Sequence, residues 1–104
     1  PKPEPKPEDP AAVQKARLAK ASQLVREATP EFEQVTEASR SLPTEEAAVA
    51  DLQKRLEALR SRLQEARRIY IEEKAADPAK LERRAALLES LLETIDGIAS
   101  QLKR

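Results

Sequence analysis

Glu89, Glu93 and Asp96 recur at i, i+4 and i+7, a spacing that sets three carboxylates along one edge of a helix. Convergent carboxylates are the ligands that hard cations such as Ca²⁺ and Mg²⁺ take. The same spacing also marks the solvated stripe beside an apolar face, and that is the expectation here: no metal. The chain has no His and no Cys, so the commonest general base and the thiol nucleophile are both missing. The ExxH pairs of di-iron bundles are missing with them. The single glycine, Gly97, builds no phosphate-cradling loop. No enzyme, no catalytic residue and no cofactor are expected.

Arg55, Arg60, Arg62, Arg67 and Arg68 make a basic stripe that could track a nucleic-acid backbone. Such sites combine clustered charge with stacking aromatics or an overall basic balance. Here Lys plus Arg (19) equal Asp plus Glu (19), and aromatics are 2% of residues. No nucleic-acid partner is expected. Glu27, Glu31, Glu33, Glu37, Glu45 and Glu46 precede the arginines, and the stripe is expected to answer these acids across the first two helices. No apolar run approaches the ~20 residues of a membrane span, and no apolar segment reads as a signal peptide. No membrane partner is expected, and without cysteine the redox compartment stays undefined.

Apolar surface beyond the needs of a seam is a third kind of candidate. Ile69, Tyr70 and Ile71 are consecutive, and a helix cannot point all three inward. In the last helix Leu91 and Ile98 are expected in the core, with Leu87 at the edge of the apolar arc. A turn at Asp77 brings Ile69 and Ile71 level with Leu87. The candidate partner-binding patch is therefore Ile69, Tyr70, Ile71 and Leu87, serving a protein target or self-association through the second and third helices. The rival is that the Pro-rich start folds back over these residues. Gly97 in mid-helix costs about 1 kcal/mol relative to Ala, which implies either a close neighbour or a shallow pocket there.

Prolines punctuate the elements that carry these residues. Residues 1–9 alternate Pro with charged residues, which reads as an extended polyproline II tail. Asp9-Pro10 and Asp77-Pro78 each set an N-cap acceptor before a proline at the first helical position, and Leu42-Pro43-Thr44 marks a turn. Helices are predicted over about 10–41, 45–76 and 78–102, within one domain spanning 10–104. Thr29-Pro30 is read two ways, as a new helix start or as a kink in one long helix. The apolar positions Leu18, Ala21, Val25, Ala28, Phe32, Val35 and Leu42 keep 3,4 spacing through it, interrupted only at Ser39, which favours the kink. The stripe continues as Val49, Leu52, Leu56, Leu59, Leu63, Ala66, Tyr70 and then Leu81, Ala85, Leu88, Leu92, Ile95, Ala99, Leu102. Short turns favour antiparallel neighbours. Folding at Pro43 and Asp77 levels Ala28 with Leu59 and Leu59 with Ile95. The predicted fold is all-α: an antiparallel, up-down-up three-helix bundle, its first helix kinked or broken at Pro30, with a Pro-rich N-terminal tail.

The repeated spelling of the caps, Asp9-Pro10-Ala11, Thr29-Pro30-Glu31 and Asp77-Pro78-Ala79, resembles that of computationally designed de novo helical bundles. Their Glu/Lys/Arg surfaces and Leu/Ile/Val/Ala cores are similar too. The resemblance is one of style over the whole chain and rests on no family motif. It implies a non-enzymatic scaffold or binder. The alternative resemblance is to natural modules mediating protein contacts: spectrin-like repeats, which share the heptads but carry core tryptophans absent here, or bacterial surface proteins, which join Pro-Lys-Glu tracts to helical rods.

Overall fold

The computed structural model of the chain describes residues 9–102. It is all-helical, with α1 over Pro10–Ser39, α2 over Glu46–Glu72 and α3 over Pro78–Leu102. A single 3₁₀ turn, Lys74–Ala76, joins α2 to α3, and no strand occurs among the described residues. The expected extended tail falls on residues 1–8, outside the described residues; Asp9 itself caps α1.

The two Asp-Pro starts work through the same chemistry. An Asp9 carboxylate oxygen accepts from the Ala11 N–H at 3.2 Å, and its carbonyl accepts from Val13 at 3.0 Å. Asp77 repeats this, its carboxylate accepting from Lys80 at 3.3 Å and its carbonyl from Leu81 at 2.9 Å. Proline at N1 gives up an N–H that had no intrahelical acceptor. The start of α2 is different: Glu45 is the N-cap and makes no side-chain capping bond, and Thr44 lies outside the helix.

The far ends of the first two helices are shorter than predicted. α2 stops at Glu72 rather than Ala76: its C-cap Glu73 leaves the helical backbone at φ −97° and ψ 16°, and Asp77 before Pro78 stands well outside it at φ −159° and ψ 81°. The chain tightens before that point, with Ala76 donating to the Glu73 carbonyl at 3.0 Å and Asp77 to Lys74 at 3.3 Å. α1 stops at Ser39 rather than near Ser41, again through i→i+3 bonds, from Arg40 to Glu37 and from Ser41 to Ala38.

Pro30 lies inside α1, so no new helix begins there. The Thr29 hydroxyl makes the same point. It donates to the Val25 carbonyl at 2.8 Å, one turn back, whereas an N-cap would accept from the amides ahead of it. Pro30 and Arg26 are both exposed, so the carbonyl deprived of its donor lies on the water side of the helix.

The core takes Ala21, Ala28 and Val35 from α1, and Leu81, Leu88, Ile95 and Ile98 from α3. From α2 it takes the longer set Leu52, Leu56, Leu59, Leu63, Ala66, Ile69 and Tyr70. That wider arc follows from position. α2 approaches both α1 and α3 closely along the backbone, with no comparable approach between α1 and α3. Ile98 is buried as expected, while Leu91 is only half-buried. No polar or charged residue is buried among those described, so burial of apolar side chains, at roughly 1.5–3 kcal/mol for each large one, drives the association.

Candidate functional site

The predicted patch divides. Ile71 and Leu87 are exposed, at 47% and 59%, but Ile69 and Tyr70 retain 2% and 3%. Ile69 belongs to the core and not to a surface patch. A helix with one neighbour buries a narrow stripe, whereas α2 lies between two and covers both positions, leaving only Ile71 out.

Tyr70 and Leu87 do meet, in an open groove of about 350 Å³ lined by Ser22, Val25 and Arg26 of α1, Tyr70 of α2, and Arg84, Leu87 and Leu88 of α3. Ile69 and Ile71 take no part in its lining. The buried Tyr70 ring touches all three helices. Its phenol oxygen lies 3.3 Å from the Ser22 hydroxyl, and the Arg84 guanidinium carbon sits 5.6 Å from the ring centroid. A cation held over a tyrosine face is attracted by the ring quadrupole. The Ser22 hydroxyl faces a phenol rather than a base.

The edges of the bundle carry charge unevenly. Along α1 and α2, Arg17 pairs with Glu72 at 2.8 Å and with Glu73, and Gln14 donates to Glu73 at 3.0 Å. Glu31 of the same helix takes Arg62 at 3.2 Å and Arg55 at 3.8 Å. Along α3, Glu82 takes Lys74 of the 3₁₀ turn at 3.0 Å, and Glu89 and Asp96 take Arg67 and Arg60 of α2 at 3.8 and 3.3 Å. The basic stripe was expected to answer the acids of the first helix, and only Arg55 and Arg62 do so. Arg60 and Arg67 turn to α3, and Arg68 pairs with Glu65 and Glu72 of its own helix. A helix with neighbours on both sides divides its charges between them. Two of the three carboxylates weighed as cation ligands, Glu89 and Asp96, are thus occupied by arginines, and no metal-type cluster occurs among the described residues.

Hydrogen bonding to Glu72 raises the Arg17 pKa above its ordinary value. The Arg68 hydrogen bond holds the Glu65 carboxyl below the usual glutamate value and raises Arg68 in turn. These exposed pairs contribute little stability each; they match neighbours.

Between α1 and α3 no ion pair crosses among the described residues. By helical register that seam runs along Leu18, Ser22, Val25 and Thr29 on one side and Leu87, Leu91, Thr94 and Ile98 on the other. Arg17, Arg40, Arg55, Arg60, Arg62, Arg67 and Arg68 each meet a carboxylate. Arg26, Arg83 and Arg84 meet none among the described residues, and Arg26 and Arg84 line the groove between α1 and α3. Residue-type reasoning named Tyr70 and Leu87 here and missed Ser22, Val25, Arg26 and Arg84. Their signal was the run of uncharged positions at 3,4 spacing bordered by arginine.

Gly97 is exposed, and a Cβ there would meet nothing within 4 Å. No neighbour requires the glycine by approaching it. No helix among the described residues is long and apolar enough to cross a membrane. No protein-family model matches the chain, and neither a curated protein nor a solved structure matches it.

Proposed function

We propose that the chain is a non-enzymatic interaction module, an antiparallel up-down-up bundle kinked at Pro30 that offers the α1–α3 groove to a protein partner. One observation carries this reading. Both seams of α2 are bordered by cross-helix ion pairs, while the α1–α3 seam has an exposed leucine and arginines that meet no carboxylate among the described residues. Single exposed leucines are ordinary; an apolar strip flanked by uncompensated cations is the composition of a binding surface.

Support for the antiparallel order comes from the pairs along α2 and α3. As the partner moves from Arg60 to Arg67 of α2 and on to Lys74 in the turn after it, the α3 partner moves back from Asp96 to Glu89 to Glu82. Support for the kink comes from the lost amide at Pro30 on the solvent side, where a helix wrapping a core is convex. The twin Asp-Pro caps, both working as hydrogen-bonded N-caps, suit the idealised helix starts of a designed protein. On this reading the protein is a de novo scaffold or binder.

Chemical-shift mapping tests the function. A panel of helical peptides with acidic, basic and neutral flanks is titrated into the labelled protein. Shifts clustered at Ser22, Val25 and Leu87 with at least one peptide are the expected result. Shifts confined to other faces, none at all, or turnover in hydrolase or lyase assays would overturn it.

A further inference from the structure

On the reading that this groove binds a partner, we infer that the partner is an acidic amphipathic helix, which sets its apolar residues between Val25 and Leu87 and its carboxylates on Arg26 and Arg84. The groove lies between two helices, and a fourth helix laid along their seam gains contact with both. Peptides bound this way insert apolar anchors at 3,4 spacing. The groove offers them apolar walls, Val25 on one side and the exposed Leu87 on the other, with the buried Tyr70 beneath.

Charge selects the sign of the partner. Arg26 and Arg84 stand on opposite walls, and Arg84 already lies over the Tyr70 ring. A guanidinium in that position keeps its outer N–H groups for a planar acceptor, and a carboxylate meets them with paired, charge-assisted hydrogen bonds. A helix bearing Lys or Arg beside its anchors would instead bring like charges together in a partly dehydrated cleft, which is costly. The chain as a whole is neutral, so this local surplus of cations owes nothing to general basicity. A duplex nucleic acid would need a wider array of cations than two groove walls supply.

The test uses fluorescence anisotropy with the full chain and a labelled ~18-residue helical peptide carrying Leu at 3,4 spacing with Glu flanks. A sibling peptide carries Lys in place of Glu. The expected result is binding of the Glu peptide at least about tenfold tighter than the Lys peptide, weakening as salt rises from about 0.05 to 0.5 M. Arg26→Glu with Arg84→Glu should reverse the preference. Should that pair disturb the fold by circular dichroism, Arg26→Gln with Arg84→Gln should remove the preference instead. Equal affinity for both peptides, lost on Leu87→Ala, would overturn the acidic partner while leaving the groove an interaction surface. Binding of neither peptide would overturn both readings. Binding of duplex DNA in preference to the Glu peptide, lost with the two arginines, would make the groove a polyanion site and overturn the inference as well.

Discussion

Replacing Pro30 by Ala should stabilise the protein, and the size of the gain follows from where Pro30 sits. In a helix interior Pro is about 3 kcal/mol less favourable than Ala, through the missing amide and the crowding of the carbonyl one turn back. Part of that is returned by the unfolded chain, since Ala frees backbone states that Pro restricts, an offset of roughly 0.4–1 kcal/mol. The Arg26 carbonyl lies on the solvent side, so regaining its bond relieves no buried orphan, and no further term is added. The net expectation is about 2 kcal/mol, or roughly 8–12 °C in Tm for a chain of this size. Urea denaturation should show a higher midpoint at unchanged slope. Thr29→Ala is the companion variant. Because the Thr29 hydroxyl bonds back to Val25, its removal should cost almost nothing, whereas loss of a true N-cap costs about 1 kcal/mol. A destabilised Pro30→Ala protein together with a destabilised Thr29→Ala protein would show that a helix begins at Pro30, and the continuity of α1 would be wrong.

Gly97→Ala should add about 1 kcal/mol by helix propensity alone, since the new methyl meets open space; a loss in urea denaturation would reveal a close neighbour. Glu45→Ser should stabilise the start of α2 by roughly 0.5–1 kcal/mol, supplying the side-chain cap that Glu45 does not make. An unchanged melting temperature would mean that the terminal amides are satisfied by other groups. Ile69→Ala should cost about 2–4 kcal/mol and Ile71→Ala under about 0.5, as their burial differs so sharply. Similar losses from both would contradict the placement of α2 between two neighbours.

The three helices and most of the core were legible in the sequence, because one apolar stripe at 3,4 spacing runs from Leu18 to Leu102 and the Asp-Pro pairs announce two helix starts. The end of α2 was not. Apolar periodicity has nothing to say over Glu72–Ala76, where the chain leaves the α-helix at Glu73 and tightens into a 3₁₀ turn. Ile69 was misplaced for a different reason: the width of a buried arc depends on how many helices flank the one that bears it, which no single-helix wheel contains. The groove was half legible. Tyr70 and Leu87 stood out as large apolar residues at the margin of a stripe. Arg26 and Arg84 did not, since an arginine is conspicuous only after its siblings have been matched to carboxylates on neighbouring helices.

The central place of α2 also bears on how the molecule comes apart. Its two outer helices share α2 as their principal partner and have little backbone contact with each other. Either can therefore detach while the remaining pair keeps its own interface, and the Ser22, Tyr70 and Arg84 cluster is the point where the two detachments are coupled. Amide hydrogens of α2 between Leu56 and Ala66 should exchange only on global opening. Those near the ends of α1 and α3 should exchange through smaller, separate openings. Such contacts are mostly between helices adjacent in sequence, so the chain should fold quickly, each helix pair able to form before the third arrives.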